Sequence, residues 1–496
     1  MPRDEAGGFG RVGSSIRYNP SMSYLIRGGL IADGSGGKLR RADVLVEGDS
    51  ITALAPPLSG AGGAELTVID ANEKVIAPGF IDTHSHADGG LLTNLDAETQ
   101  IRQGITTALV GQDGGHNFPL SEWFAKLKQT PPALNIASFI GHGTVRGKVM
   151  GDDYKRAARP DEIRKMRALV AQEVRAGALG LSSGVEYDPG IYSTTEELIA
   201  LAELAGFYIS HVRDEEEGAL TSFDELIQIA TKARVPAQIS HIKLGSSPVW
   251  GKTQQVFERM DAARRRGVSI TADVYPYTYW QSSIIVLLTT REWDKRPLWE
   301  KALAEVGGAK NILITGYAPQ PSWQGKTLAA LALEQKKDAV TLTMEMVAAA
   351  KGAVGVVVTA MQERDLQAFI RHPEIMFCTD GGLRGSHPRG AGSYPRILGK
   401  YVREERVLAL EEAIRKASAL PASRFGFTDR GVIAPGKKAD LVIFDPKTIT
   451  DTATTKDPQA KPVGLTDVLI NGILVLRNSQ LTGAHPGRVL QSRSAR

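Results

Sequence analysis

One unit repeats through the middle of the sequence: an amphipathic helix followed directly by a short apolar strand. In the first clear copy Pro160 begins a helix, apolar residues recur at helical spacing, and Gly177 ends the helix before the strand-like residues 178–182. The next copy begins at Thr194, which can cap a helix, and leads into residues 207–211. Consecutive units of this kind require a parallel sheet covered by helices.

The two ends of the sequence show a different pattern, with short extended segments separated by glycine-rich turns. Such segments fill residues 24–76 and return at 440–444 and 468–476, where Asn471 and Gly472 can form a tight hairpin turn. We therefore predict one accessory β-domain built from both chain ends.

These patterns predict the boundaries of the domains. We expect a flexible lead-in at 1–21, a β-sandwich formed by 22–77 and 428–496, and a central domain at 78–427. Residues 280–351 break the alternation of helices and strands, so we predict an insertion there that covers the open end of the central domain.

Histidine and aspartate residues fall at the C-terminal ends of the predicted strands. They are His84, His86, His211, His241 and Asp380. Enzymes built on closed parallel barrels carry their chemistry at that end, whereas a doubly wound nucleotide-binding sheet needs a glycine-rich fingerprint after its first strand, and none is found. The sequence therefore predicts the α/β class, with a TIM-like (β/α)8 barrel as the central domain.

Composition narrows the possible partners. The chain has 59 Lys and Arg residues against 55 Asp and Glu, a net charge of only +4, and no basic block interleaved with aromatic residues, so nucleic acid is not expected to bind. No apolar run approaches the roughly 18 residues of a membrane span. The first 21 residues contain no apolar core of a secretory signal, and the chain has one cysteine. We expect a cytoplasmic protein that binds a small molecule, and no oligomeric state is predicted.

The histidines have the pattern of a metal site. Alternation along an extended strand directs His84 and His86 to the same side, while His211, His241 and Asp380 end later strands of the same barrel. A single histidine at a strand end is more often hydrogen-bonded in a core, so the prediction depends on their joint placement. Nitrogen ligands of this kind suit zinc, and manganese, iron and cobalt are alternatives.

Seven motifs resemble the amidohydrolase superfamily and, within it, the D-aminoacylases or N-acyl-D-amino-acid deacylases. They are PGFIDTHSH at 78–86, GITT at 104–107, GLSSGVEYDPG at 180–190, HVR at 211–213, ISHIK at 239–243, DVYPY at 273–277 and GVIAPGKKADL at 431–441. The resemblance implies a metal-bearing barrel with a β-sandwich from both chain ends, and the hydrolysis of N-acyl-D-amino acids. By the same resemblance, His84 and His86 match one metal pair, His211 and His241 match the other, and Asp380 matches the catalytic aspartate.

Asp113 departs from the family pattern, because many D-aminoacylases have a metal-binding cysteine at this position. A carboxylate can bridge two cations, so we expect one or two zinc ions or other divalent metals at a harder site. Alternatively, Asp113 is only a turn residue in an Asp-Gly loop. Residues 178–183 contain no lysine of the kind that bridges the metals of cyclic amidases, which argues against that branch.

The resemblance also implies a substrate site. Lys243 and Arg389 match positions that hold the amino-acid carboxylate, Tyr275 can add a hydroxyl, and Ser282 matches a residue near the substrate. His142, in a motif after another strand, is a candidate to support the metal ligands from behind. Residues 282–288 lack the further arginine of deacylases specific for acidic residues, so an apolar pocket for neutral or hydrophobic side chains is implied.

A bound divalent ion lowers the pKa of its water from about 15.7 toward about 7, which makes hydroxide available for attack on the amide. Asp380 is expected to take the proton and return it to the departing amine as general base and acid. Two alternatives stay open: a dipeptidase or amidase that accepts a D-residue on the amine side, and a non-catalytic binding protein on the same barrel.

Overall fold

The computed structural model describes residues 23–55, 57–58 and 66–492, so the predicted lead-in at 1–21 lies outside the described residues. The described part of the chain begins with five strands. They are β1 (Ser23–Ile31), β2 (Arg40–Glu47), β3 (Ser50–Ala55), β4 (Leu66–Asp70) and β5 (Val75–Pro78).

Alternating strands and helices follow, as the repeated unit predicts. The strands are β6 (Phe80–Asp82), β7 (Ile105–Val110), β8 (Asn135–Ser138), β9 (Ile140–Gly141), β10 (Leu181–Gly184), β11 (Tyr208–His211), β12 (Ala237–Ile239) and β13 (Ile270–Val274). The helices between them are α1 (Glu98–Ile101), α2 (Leu120–Gln129), α3 (His142–Met150), α4 (Pro160–Arg175), α5 (Thr195–Ala205), α6 (Ala219–Ala233) and α7 (Thr253–Arg265).

After β13 the chain forms a subdomain of its own. Its elements are β14 (Tyr279–Ser283), α8 (Arg296–Glu305), β15 (Ile312–Tyr317), α9 (Leu328–Glu334), α10 (Ala339–Ala349) and β16 (Val354–Thr359). The strands form an antiparallel sheet in the order β14-β16-β15, and a separate hydrophobic core surrounds the fully buried Trp299. The insertion was predicted at 280–351, but the sheet extends to Thr359 because β16 pairs with both other strands.

The remaining elements complete the barrel and the β-domain. They are α11 (Glu363–Arg371), β17 (Ile375–Phe377), α12 (Arg389–Arg396), a π-helix (Ile397–Glu404), α13 (Leu410–Ala417), α14 (Ala419–Arg424), β18 (Leu441–Phe444), β19 (Leu465–Ile470), β20 (Ile473–Arg477) and β21 (Gln480–Leu481). Among the described residues, no helix is both long and apolar enough to cross a membrane.

The central strands close into a barrel. Parallel pairing runs through β6-β7-β8 and through β9-β10-β11-β12-β13-β17, and β8 and β9 are two parts of one strand interrupted at Phe139. The first and last strands meet through a parallel bridge between Ser85 and Gly381. Eight strand positions therefore surround the axis, and the predicted (β/α)8 barrel is confirmed.

The β-domain joins the two ends of the chain in one sheet. Among the described residues its order is β21-β20-β19-β18-β5-β1-β2-β3, with β4 paired to β1. The central pairing is antiparallel, between β5 of the N-terminal part and β18 of the C-terminal part. The prediction of a small β-domain built from both chain ends is confirmed.

Lys416 on α13 is fully buried behind the strand that leads to the barrel's C-terminal rim. Its ammonium donates to the carbonyl oxygens of Ile370 and His372, at the end of α11, and lies 5.0 Å from the centre of the Phe377 ring. Burial lowers the pKa of Lys416 from its ordinary 10.5 to about 7.

This buried lysine should make stability depend on pH. Between these two pKa values the unfolded chain binds more protons at Lys416 than the folded protein, so stability rises with pH across that window. Between about pH 7.5 and about pH 9.5, we expect the free energy of unfolding of the unmodified protein to rise by about 2 kcal/mol more than that of Lys416→Met. Urea unfolding followed by tryptophan fluorescence measures the difference. The exposed Lys456→Met is the control, and an equal gain in all three proteins would contradict the assignment.

Candidate metal centre

The predicted ligands lie at one end of the barrel, just after the strands that carry them. His84 and His86 follow β6, Asp113 follows β7, His211 ends β11, and His241 follows β12. The carboxyl ends of parallel strands share one rim, so all five side chains face the same space.

Three site residues have left-handed backbone conformations, with φ of 52° at Asp113, 33° at His241 and 48° at Asp380. Aspartate and histidine adopt this region more readily than bulky residues do. At His241 the conformation is held by a hydrogen bond from its backbone N–H to Asp273 Oδ1, at 2.5 Å. The sharp turns direct these side chains across the barrel mouth rather than along the strands.

Asp113 lies between three imidazoles. Its Oδ1 is 3.3 Å from His84 Nε2 and 3.4 Å from His241 Nε2, and its Oδ2 is 3.3 Å from His86 Nε2. Although burial raises the pKa of Asp113, the charges of His84 and His241 hold it well below its ordinary value. The two oxygens of one ionised carboxylate thus face different histidines, which is the arrangement of a bridging ligand.

Asp380 adjoins the same cluster. Its Oδ1 is 3.2 Å from His86 Nε2 and 3.7 Å from His84 Nε2, while its Oδ2 forms an ion pair with Arg389 Nη1 at 2.6 Å. Burial raises the pKa of Asp380, but the charges of Arg389 and the neighbouring imidazoles lower it by a larger amount, so the net shift is downward. Asp380 is therefore ionised.

His211 and His241 form the other part of the centre. His211 Nδ1 and His241 Nε2 face each other at 3.1 Å, with ring centres 4.7 Å apart. On the far sides, His211 Nε2 lies 2.8 Å from Glu186 Oε2, and His241 Nδ1 lies 3.1 Å from Glu215 Oε1.

The residues present fit a divalent cation. Both ring nitrogens of His84 and Oδ1 of Asp113 are buried without a hydrogen-bond partner among the described residues. Buried polar atoms are normally satisfied, so bare nitrogens around a carboxylate indicate a site that a cation completes. Two groups with possible ligand atoms within 4.8 Å of one another share His241: His84, Asp113, His241 and Asp380, and His211, Glu215 and His241. Imidazole and carboxylate together suit zinc.

Sequence reasoning missed Glu186, Tyr187 and Glu215. Tyr187 places its hydroxyl 3.1 Å from His211 Nδ1. Glu215 lies four residues after His211 in an acidic run, and Glu186 and Tyr187 belong to the glycine-rich motif after β10. The only available signal was their position in segments that follow barrel strands.

The four predicted substrate residues occupy different environments. Lys243 forms a buried ion pair with Glu215, whereas Arg389 lines the mouth beside Asp380. Tyr275 is buried with its ring centre 4.8 Å from the Arg389 guanidinium carbon, and its hydroxyl has no hydrogen-bond partner in the described part of the chain.

Two cavities meet at the mouth, one of about 160 Å³ beside the histidines and one of about 480 Å³ toward the loop after β17. They share His86, Gln281, Ser282, Asp380 and Arg389. The apolar run 282–288 contributes little to either cavity, because Ile284, Leu287 and Leu288 belong to the core of the insertion. Only Val286 of that run, together with Trp280, adds apolar surface to the smaller cavity.

His142 lies apart from this cluster. Its Nε2 is 2.8 Å from Glu197 Oε1, and Glu197 also pairs with Arg146. In the residues that the structure describes, no hydrogen bond or ion pair joins His142 to a predicted metal ligand. The described residues therefore show no polar contact through which His142 could support the metal ligands, the role expected from the sequence.

Asp113→Asn should weaken metal binding, because the amide keeps the shape of the side chain but loses the charge that faces three imidazoles. Loss of a residue that only hydrogen-bonds a metal ligand already lowers metal affinity by roughly 10- to 100-fold. Asp113 is a candidate ligand itself, so we expect at least that loss. Zinc affinity measured by competition with a chelator tests this. Asp88→Asn, which removes a nearby carboxylate hydrogen-bonded to Asn117, should retain most of the affinity. Equal affinities in both variants would contradict a ligand role for Asp113.

Comparison with known proteins places this site in a family context. Residues 75–475 match the model of the Amidohydrolase family. A D-aminoacylase from Alcaligenes xylosoxydans xylosoxydans is 34% identical over an alignment of 503 positions, which covers 96% of this chain and 98% of that protein.

Two solved structures are similar over nearly the whole chain. The N-acyl-D-glutamate deacylase from Bordetella bronchiseptica, complexed with zinc and a phosphonate inhibitor, is 33% identical with a TM-score of 0.85, covering 95% of this chain and 100% of that one. A D-aminoacylase studied for the role of its binuclear metal centre is 32% identical with a TM-score of 0.84, covering 94% of this chain and 99% of that one.

Proposed function

The chain belongs to the amidohydrolase family, and from this membership we propose that it is a metal-dependent hydrolase of N-acyl-D-amino acids. The observation that carries the proposal is the Asp113 carboxylate, which faces three imidazoles beside the ionised Asp380. The similarity to D-aminoacylase and to N-acyl-D-glutamate deacylase supports the reaction class.

We assign zinc, as one or two ions, to this centre. His211, His241 and Asp113 would hold one ion, and His84, His86 and Asp113 would hold a second. A bound divalent ion lowers the pKa of water and polarises the amide carbonyl. The zinc in the related deacylase and the binuclear centre of the related D-aminoacylase support this assignment.

Asp380 is the proposed general base and acid. As a carboxylate within the cluster it can accept a proton from the attacking water and return it to the amine nitrogen, which must leave protonated. Its ion pair with Arg389 fixes the direction of Oδ2, while Oδ1 faces the imidazoles.

Arg389 is also the proposed main holder of the substrate carboxylate. A guanidinium has five N–H donors, and in the described residues only the contact with Asp380 uses one of them. Arg389 lines both cavities, so it can reach a substrate in either. Lys243, Tyr275 and Ser282 stay in the proposal as further contacts. The proposed preference for neutral or hydrophobic side chains is supported by Trp280 and Val286 in the smaller cavity.

A second candidate is a dipeptidase or amidase that accepts a D-residue on the amine side. The larger cavity of about 480 Å³ favours it, because that space adjoins Asp380 and could admit a longer acyl group. Either substrate is a small molecule. A cytoplasmic location is part of the proposal and is supported by the single, buried cysteine, Cys378.

Substrate screening tests the reaction. N-acetyl-D- and N-acetyl-L-amino acids and D-terminal dipeptides are incubated with the zinc-loaded protein, and free amine is measured. Release from D-forms supports the proposal, and faster release from dipeptides favours the second candidate. Turnover of L-forms or cyclic ureides, with no turnover of any D-form, would overturn the proposed deacylase function.

Asp380→Asn should lower kcat by roughly 100-fold or more, which is the scale of general acid–base catalysis. The amide cannot accept the proton, although it keeps the size of the side chain. Steady-state kinetics on the best D-substrate measure the loss, and thermal unfolding shows whether the variant is folded. A folded variant that retains a large part of the activity would show that Asp380 acts only as a ligand.

A further inference from the structure

We propose that Glu186 and Glu215 are positioning residues for His211 and His241, and that Glu215 also anchors Lys243, so that one carboxylate connects the metal centre with the substrate-carboxylate site. The second part rests on the proposed deacylase function. The first part concerns metal binding alone and can be tested without any substrate.

The orientation of the two histidines depends on their outer partners. A neutral imidazole has one N–H and one bare nitrogen, and a carboxylate can only accept a hydrogen bond. In its ionised form Glu186 accepts from a proton on His211 Nε2, and the ionised Glu215 can likewise accept from a proton on His241 Nδ1. The two inner nitrogens, 3.1 Å apart, then carry no proton, and the Tyr187 hydroxyl can donate to the one on His211. Two nitrogens bound to one tetrahedral zinc at about 2.0–2.1 Å lie about 3.3 Å apart, close to this separation.

His241 needs Glu215 for a second reason. The Lys243 ammonium lies 2.7 Å from His241 Nδ1 and can only donate. A hydrogen bond from Lys243 to Nδ1 would place the imidazole proton on Nε2, the nitrogen that faces Asp113 and His211. Glu215 lies farther from Nδ1, at 3.1 Å, but it accepts from two of the three N–H donors of Lys243, which favours the tautomer with the proton on Nδ1 and leaves Nε2 bare.

Glu215 also fixes Lys243. Its two carboxylate oxygens accept from the ammonium at 2.6 and 2.7 Å, and both residues are buried. A lysine has three N–H donors, so two are engaged by Glu215. When His241 Nδ1 carries its proton, the third donor of Lys243 is free for a substrate carboxylate.

Glu186 differs from Glu215 in this respect. Its described ion-pair contact is with His211 alone, and no lysine or arginine side chain pairs with its carboxylate. Removal of Glu186 should therefore affect the metal centre without affecting carboxylate recognition. This contrast separates the two roles experimentally.

The experiment compares Glu186→Leu, Glu186→Gln, Glu215→Gln and the control Glu217→Gln, whose carboxylate pairs with Lys301 at the surface. Zinc affinity is measured by chelator competition. In parallel, kcat and KM are measured for N-acetyl-D-leucine and for its carboxamide, which keeps the shape of the substrate but lacks the carboxylate charge.

We expect Glu186→Leu to lower zinc affinity by roughly 10- to 100-fold, the usual cost of losing a partner behind a histidine ligand. Glu186→Gln should restore most of this affinity because its amide oxygen still accepts the hydrogen bond. Neither change should alter the ratio of kcat/KM for the acid to that for the carboxamide. Glu215→Gln should lower zinc affinity, because an uncharged amide no longer holds the Lys243 ammonium away from His241 Nδ1, and it should also reduce this ratio through a higher KM for the acid. The control should change neither quantity.

Unchanged zinc affinity in both Glu186→Leu and Glu215→Gln would overturn the positioning role, and an unchanged ratio in Glu215→Gln would overturn the link to Lys243. Glu215→Gln leaves a buried ammonium unpaired and can unfold the protein. The double variant Glu215→Leu/Lys243→Met removes both charges and also the acceptor for His241 Nδ1, so a folded protein should show the loss of zinc affinity, and its ratio falls because Lys243 itself is absent. If the unmodified protein cleaves no D-substrate, the deacylase function fails while the zinc measurements still decide the positioning role.

Discussion

The candidate site depends on the closure of the barrel between its first and last strands. Where these strands end, Asp380 donates its backbone N–H to His84 O at 2.8 Å, and His86 donates to Gly381 O at 3.0 Å. These hydrogen bonds join segments almost 300 residues apart in the sequence. Because the bonded residues are themselves the candidate ligands and the candidate base, the closure of the fold and the geometry of the centre are set by the same contacts.

Closure alone would leave several charged groups buried together, and the site compensates by pairing them. Asp113 lies among three imidazoles, Asp380 pairs with Arg389, and Glu215 pairs with Lys243. Burying a carboxylate without a partner destabilises the folded protein, and removing one member of such a pair leaves the other charge buried and unpaired. The cluster is therefore a set of mutually dependent charges, in which a bound cation would satisfy the nitrogens that the protein leaves bare.

The fold and the histidines could be predicted from the sequence because both follow local rules. Helix caps, apolar periodicity and glycine stops mark each strand–helix unit, and strand ends of a parallel barrel share one rim. Glu186 and Glu215 could not be predicted in the same way, since they lie in loops whose path is set by tertiary contacts. Likewise, the end of the insertion was missed because β16 pairs with two strands far away in the sequence.

The insertion contacts the same loop that carries the missed residues. Arg291 donates to the backbone carbonyl of Glu186 and pairs with Asp188 at 3.5 Å, and the ring of Tyr187 packs against the insertion's hydrophobic core. On its other side this loop presents Glu186 and Tyr187 to His211. One short segment after β10 therefore connects the insertion with a candidate metal ligand, so the placement of the insertion and the orientation of His211 depend on each other.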